Sequence, residues 1–181
     1  MKVSYKVAFG GVVSSLCLLL MFLTAVFPVL ALALPIFSGM LIAMVAIEIN
    51  VPWGFVTYAA VAVLSIFVTP DKQAAIFFIF FFGYYPVLKL ELEKRLKKLR
   101  VIRWVLKFAA FNAAIVSSYY LIINIFGAMD FFAEFGFTGK YLIAGLLGFG
   151  NIVFILYDST LSLMIITYIK WFRPTFLKKI K

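Results

Sequence analysis

The apolar run from Val7 to Leu34 contains no charged side chain, and another apolar segment follows it directly. A helix needs about 20 mostly apolar residues to cross the hydrocarbon core of a bilayer. Apolar types make up 66% of the 181 residues and charged types 13%, whereas an ordinary soluble domain is about half apolar and about a quarter charged. A globule of this size could not hide so much apolar surface from water, so the sequence predicts an all-α integral membrane protein.

Turn signals divide the chain into six predicted membrane-spanning helices within a single transmembrane domain, 1–181. Their approximate bounds are 7–34, 35–49, 54–68, 73–90, 102–126 and 140–169. Asn50 to Gly54 is predicted to form a tight turn. Gly83-Tyr84-Tyr85-Pro86 predicts a kink or a break inside the fourth span, because proline removes a backbone hydrogen bond. The second and third spans are short, so a count of four or five spans is the alternative.

The distribution of Lys and Arg predicts the orientation. With six spans, both termini and the connector 91–101 lie on one side, and that side carries all of the 17 Lys and Arg residues except Lys72 and Lys140. Cytoplasmic loops of membrane proteins are enriched in Lys and Arg. The termini are therefore predicted to be cytoplasmic, in a bacterial cytoplasmic membrane. The net charge of +10 then faces membrane lipids and indicates no nucleic-acid partner.

Two connectors carry further signals. Glu91 with Arg95 and Glu93 with Lys97 are favourable i,i+4 pairs, so 91–101 is predicted to be a helical connector at the cytoplasmic interface, either a solvated loop or a docking surface for a partner. The outer connector, 127–139, is rich in phenylalanine, which indicates an aromatic belt or a mobile lid. The phenylalanines are Phe131, Phe132, Phe135 and Phe137.

Two carboxylates and one lysine lie deep in the predicted spans, in their cytoplasmic half. These are Glu48, Lys89 and Asp158. Charges at membrane depth are costly and mark functional or structural pairing. Lys89 is predicted to pair with Glu48 or with Asp158. The three serve as a structural ion pair or in coupling and gating; a proton relay is the least favoured alternative, because no chain of carboxylates or His runs outward from them.

Uncharged polar side chains in the last three spans predict a small-molecule pocket in the outer half of the bundle. They are Asn112, Ser117, Asn124, Asn151, Tyr84 and Tyr85. Asparagine amides offer both donors and acceptors, which can orient a small polar solute among aromatic and apolar walls. The alternative for each asparagine is a hydrogen bond between helices.

Several chemistries are not indicated. The chain has no His and one Cys, Cys17, so the sequence predicts no metal site, no cofactor and no internal disulfide. No nucleotide-binding or metalloprotease motif occurs, and the missing His and paired carboxylates disfavour an enzyme. A transporter with this sequence would take its energy from a partner or from an ion gradient.

The pattern resembles a family. Six predicted spans, cytoplasmic termini and no nucleotide site are similar to the substrate-binding S components of energy-coupling factor transporters, as is the stretch from Pro35 through Glu48 and Tyr58 to Gly83-Tyr84-Tyr85-Pro86-Val87-Leu88-Lys89. Those proteins commonly carry an alanine-xxx-alanine face on the first helix, where this chain has small residues instead. These residues are Gly10, Gly11, Ser14 and Ser15.

The resemblance implies capture of a small vitamin-like solute outside the cell, followed by toppling of the subunit in the membrane. It also implies a membrane coupling subunit with cytoplasmic ATPases as the partner. A second family of similar shape, the rod-shape-determining membrane scaffolds, implies instead an assembly protein that binds another membrane protein and transports no ligand.

Overall fold

The computed structural model describes residues 3–126 and 140–176, and all regular secondary structure in these two ranges is helical. The chain divides into two units, Met1–Gly136 and Phe137–Lys181. The first unit contains α1 (Val3–Leu23), α2 (Ala33–Glu48), α3 (Val51–Val68), α4 (Lys72–Phe77), α5 (Tyr85–Arg95) and α6 (Arg100–Phe126). The second contains α7 (Lys140–Thr167), a π-helical turn (Tyr168–Phe172) and α8 (Arg173–Phe176).

Five helical stretches are long and apolar enough to cross a membrane, which fits an integral membrane protein. They are Val3–Leu23, Val51–Val68, Lys72–Arg95, Arg100–Ser118 and Leu147–Trp171. The remaining predicted span corresponds to α2, a shorter apolar helix of 16 residues. Its length of about 24 Å is less than the roughly 30 Å of a hydrocarbon core. The all-α prediction is confirmed, whereas six spans and cytoplasmic termini stay predictions.

The first helix is shorter than predicted. The predicted span 7–34 ends instead at Leu23 and is followed by turns and a 3-10 helix, Pro28–Leu30. The Thr24 hydroxyl donates to the carbonyl oxygen of Met21 over 2.7 Å, so a side chain occupies an acceptor of the last turn. Pro28 cannot donate a backbone hydrogen bond, and it opens the 3-10 helix instead of continuing α1.

Side chains that accept hydrogen bonds set the starts of α3 and α4. The Asn50 side-chain oxygen accepts from the backbone N–H of Trp53 over 3.0 Å, so the predicted turn from Asn50 to Gly54 is wrong: the helix begins at Val51. Asp71 caps α4 in the same way, accepting from the N–H groups of Gln73 and Ala74. Both residues are favoured types for this position because their oxygens satisfy N–H groups that lack a partner within the helix.

The predicted connector 91–101 is mostly regular helix. α5 continues to Arg95 and α6 begins at Arg100, which leaves a short turn between them. The i,i+4 pair of Glu91 with Arg95 is present and supports the last turn of α5, where basic side chains also favour the helix dipole. The outer connector, 127–139, lies outside the described residues.

α1, α2 and α3 pack together around the core of the first unit, together with α4 and α5. Cys17 of α1 and Ser38 of α2 each donate to the other's backbone carbonyl oxygen, over 3.3 and 3.4 Å. Such contacts through small side chains bring two helices close in an apolar environment. The core residues are Val13, Cys17, Met21, Ile42, Val45, Ala46, Val61, Ala62, Ala75, Phe78 and Val87.

α2 and α5 end, and α3 and α6 begin, at one end of the first unit, named the basic end. Its cationic residues are Lys94, Arg95, Lys97, Lys98 and Arg100, and each of them is exposed.

Candidate functional site

The helix Lys72–Arg95 is interrupted where the sequence predicts a break. α4 passes into a π-helical turn, Phe78–Phe82, in which the Gly83 N–H donates to the carbonyl oxygen of Phe78 over 2.8 Å. In an α-helix this N–H would bond to the carbonyl of Ile79. The Ile79 oxygen instead accepts from the hydroxyl of Tyr58 in α3, over 2.6 Å, so a tertiary contact satisfies the group that the π turn releases.

Proline releases a second carbonyl in the same segment. Pro86 has no N–H, so the carbonyl of Phe82 has no donor four residues further along the helix. Gly39 of α2 lies against this carbonyl, and a Cβ atom at position 39 would overlap the Phe82 oxygen. Glycine is therefore required here for the close approach of α2 to the interrupted helix.

Aromatic rings surround the break. The ring of Phe81 stacks on Tyr85 at a centroid distance of 4.7 Å and meets Phe111 of α6 edge-on at 5.1 Å. Tyr58 meets Tyr84 edge-on at 5.9 Å, and the Tyr84 hydroxyl reaches the carbonyl oxygen of Ala110 over 3.5 Å. The break therefore joins backbone carbonyls, tyrosine hydroxyls and aromatic rings that contact one another.

The predicted site residues are only partly brought together. Tyr84 and Tyr85 lie at the break, Tyr85 buried and Tyr84 half-buried. Ser117 is exposed on α6. Tyr58 was not among the predicted site residues; it precedes the break by more than twenty residues, and only the packing of α3 against the interrupted helix reveals its role.

The three asparagine amides donate within their own helices. Nδ2 of Asn112 donates to the Phe108 carbonyl, that of Asn124 to Tyr120, and that of Asn151 to Leu147, over 2.8, 2.8 and 2.6 Å. Asn151 belongs to α7, in the second unit. Each amide keeps further donor and acceptor capacity, so a shared pocket for the three stays a prediction.

A buried charge cluster lies near the basic end. Lys89 of α5 and Lys107 of α6 have side chains 0% and 3% exposed, and both face Oε1 of Glu93, over 3.4 and 2.8 Å. The Lys107 ammonium also lies 5.2 Å from the centre of the Trp104 ring, within the range of a cation–π interaction.

Glu93 and Lys107 were not predicted members of this site. The i,i+4 spacing of Lys89 and Glu93 is a sequence signal that indicates Glu93. The contact of Glu93 with Lys107 has no such signal, because it depends on how α5 and α6 pack. Glu48 is the last residue of α2 and is half-buried. Asp158 lies in α7, in the second unit. The pairing of Lys89 with Glu48 or Asp158 stays a prediction.

A cavity of about 810 Å³ opens at the basic end, between the end of α2, the start of α3 and the last turns of α5. Its lining is Ala46, Ile47, Ile49, Asn50, Val51, Pro52, Phe55, Leu90, Glu91, Lys94 and Arg95. Among the described residues, no group of three or more His, Cys, Asp and Glu side chains is arranged to hold a metal ion.

Comparison of the chain with protein-family models, with curated proteins and with solved structures found no match.

Proposed function

We propose that this chain is a solute-capture subunit of a membrane uptake system in a bacterial cytoplasmic membrane. The observation that carries the proposal is the interrupted helix Lys72–Arg95, where tyrosine hydroxyls donate to backbone carbonyls among aromatic rings. Irregular backbone at membrane depth is tolerated where protein buries it or where it lines a cavity. Broken helices of this kind form the substrate sites of many transporters.

The sequence resemblance supports the same proposal. An S component of an energy-coupling factor transporter would have six spans and cytoplasmic termini, and it would hold a vitamin-like solute in the outer half of the bundle. Asn112, Ser117, Asn124 and Asn151 would line that pocket with Tyr84. The coupling subunit and its ATPases would supply the energy, and Glu48, Lys89 and Asp158 would couple or stabilise the inner half.

The second candidate is a membrane scaffold or assembly protein of the rod-shape-determining type. The observation that suits it is that Asn112, Asn124 and Asn151 each donate to a carbonyl of their own helix, so each amide already has a partner within the bundle. A scaffold would bind another membrane protein whether or not a solute is present.

The test is solute binding by the purified full chain in mild detergent. Mass spectrometry of the purified protein and thermal melting with a panel of water-soluble vitamins are expected to find one bound small molecule. Tyr84→Phe and Asn124→Leu are expected to weaken its binding about tenfold each, the equivalent of one hydrogen bond. Tyr5→Phe, on the exposed end of α1, is the matched control and is expected to leave the affinity unchanged.

A preparation that contains no small molecule, shows no shift with any vitamin and copurifies with one membrane protein would reject solute capture in favour of the scaffold.

A further inference from the structure

The cavity at the basic end has a wide apolar wall. Side chains from the end of α2, the start of α3 and α5 form this wall, and most of them are half-buried. They are Ile47, Ile49, Val51, Pro52, Phe55 and Leu90. At about 810 Å³, the space is in the range of small-molecule sites. Its apolar wall suits a hydrocarbon chain and offers no hydrogen bond to a soluble ion.

The rim of the same cavity is cationic. Glu91, Lys94 and Arg95 line it, and the Glu91 carboxylate pairs with Arg95. Lys94 is exposed and makes no salt bridge within the described part of the chain. The rim therefore favours an anion next to Lys94.

An apolar wall beside a cationic rim matches one occupant. We propose that this cavity holds one acidic phospholipid, with an acyl chain against the apolar wall and the headgroup phosphate on the Lys94 ammonium. The charged residues of α5 lie in its C-terminal half, towards the basic end. This is the level expected for lipid headgroups. Basic pockets between membrane helices bind acidic headgroups for the same reason.

The test compares lipids on the purified full chain in detergent. Phosphatidylglycerol is titrated onto the protein. Thermal melting is expected to show that it stabilises the protein, and native mass spectrometry is expected to show one lipid bound. Phosphatidylcholine at the same concentration is expected to do neither. Soluble glycerol phosphate, which has the headgroup charge without the chains, is expected to have no effect.

Variants of exposed lysines locate the site. Lys94→Gln is expected to weaken the apparent affinity for phosphatidylglycerol about fivefold, the loss of one lysine near a lipid surface, and Lys94→Arg is expected to retain it. Lys98→Gln is the matched control, because Lys98 is also exposed at the basic end but does not line the cavity. It is expected to bind like the unmodified chain.

Four results would overturn the proposal. Equal stabilisation by phosphatidylcholine would show that charge is not recognised. Equal losses in Lys94→Gln and Lys98→Gln would show diffuse surface charge without a site. An equal effect of glycerol phosphate would show a free-phosphate site. No lipid effect, together with crosslinking of a cysteine at position 94 to a copurifying protein, would show a protein partner.

Discussion

Glu93 is the residue on which two buried ammonium groups converge. Its Oε1 atom faces Lys89 and Lys107, whose side chains are 0% and 3% exposed, while its own side chain is 38% exposed. A buried ammonium is costly without a partner. Glu91, two residues earlier on the same helix, is 21% exposed and pairs with Arg95, which is 77% exposed. An ion pair with so exposed a partner contributes little to stability. The two glutamates therefore differ in their surroundings and share their chemistry.

The first prediction compares these two carboxylates. Glu93→Gln is expected to lower the free energy of unfolding by about 1–2 kcal/mol, less than for a fully buried pair because Glu93 is partly exposed and both lysines make further interactions. Glu91→Gln is expected to cost about 0.5 kcal/mol or less. Thermal melting in detergent measures both.

A double-variant cycle tests the contact itself. Glu93→Gln combined with Lys107→Met is expected to cost less than the sum of the two single changes, since each single change leaves one partner of the pair behind. Additive losses, or equal losses in Glu91→Gln and Glu93→Gln, would contradict the assignment.

At the scale of the element, the interrupted helix Lys72–Arg95 is held in its irregular form by its neighbours. The π turn releases the Ile79 carbonyl to Tyr58 of α3, and Pro86 releases the Phe82 carbonyl next to Gly39 of α2. A ring atom of Tyr58 would lie 2.6 Å from a Cβ at Gly83, so glycine is needed both in the break, at Gly83, and on α2 beside it, at Gly39. The break is thus a product of the local sequence and of two packed helices.

The second prediction concerns this close packing. Gly39→Ala is expected to destabilise the protein by about 2 kcal/mol, because the new methyl group overlaps a backbone carbonyl that cannot rotate away. Gly11→Ala in α1 is the matched control: a Cβ there meets nothing within 4 Å, and alanine is the better helix former. It is expected to be neutral or slightly stabilising. Thermal melting measures the stability of both variants. Equal losses of stability would reject the close approach of Gly39 to the Phe82 carbonyl.

At the scale of the whole molecule, the topology depends on α2. Its 16 residues are shorter than the five stretches that are long enough to span a membrane. If α2 crosses the bilayer, Lys6 and Lys97 lie on the same side and Lys72 on the other. If α2 does not cross, Lys6 and Lys72 share a side and Lys97 lies opposite. The excess of Lys and Arg near both termini and the basic end favours the first arrangement.

The third prediction follows from this difference. With Cys17 replaced by alanine, single cysteines at positions 6 and 97 are expected to be shielded from a membrane-impermeant maleimide in intact cells, and a cysteine at position 72 is expected to be labelled. Permeabilised cells are the control, in which all three are labelled. Labelling of position 97 but not of position 72 in intact cells would reject the predicted topology.

Part of the candidate site could be predicted from the sequence. The break around Gly83 and Pro86 follows from the chemistry of these two residues, and Tyr84 and Tyr85 do lie at it. Tyr58 and Lys107 could not be predicted, because their partners lie 21 and 14 residues away along the chain. The local pattern predicts which face of a helix is apolar, and it does not predict which side chain of a neighbouring helix reaches that face.

The sequence by itself determined the helical class of this protein and the apolar length of most of its helices. These features depend on composition and on interactions within a few residues, which act wherever the chain is placed. Only the tertiary structure decided that Glu93 faces two lysines, that Tyr58 satisfies Ile79, and that a cavity opens at the basic end. Such contacts depend on the distance and rotation between packed helices, which the whole set of side chains fixes together.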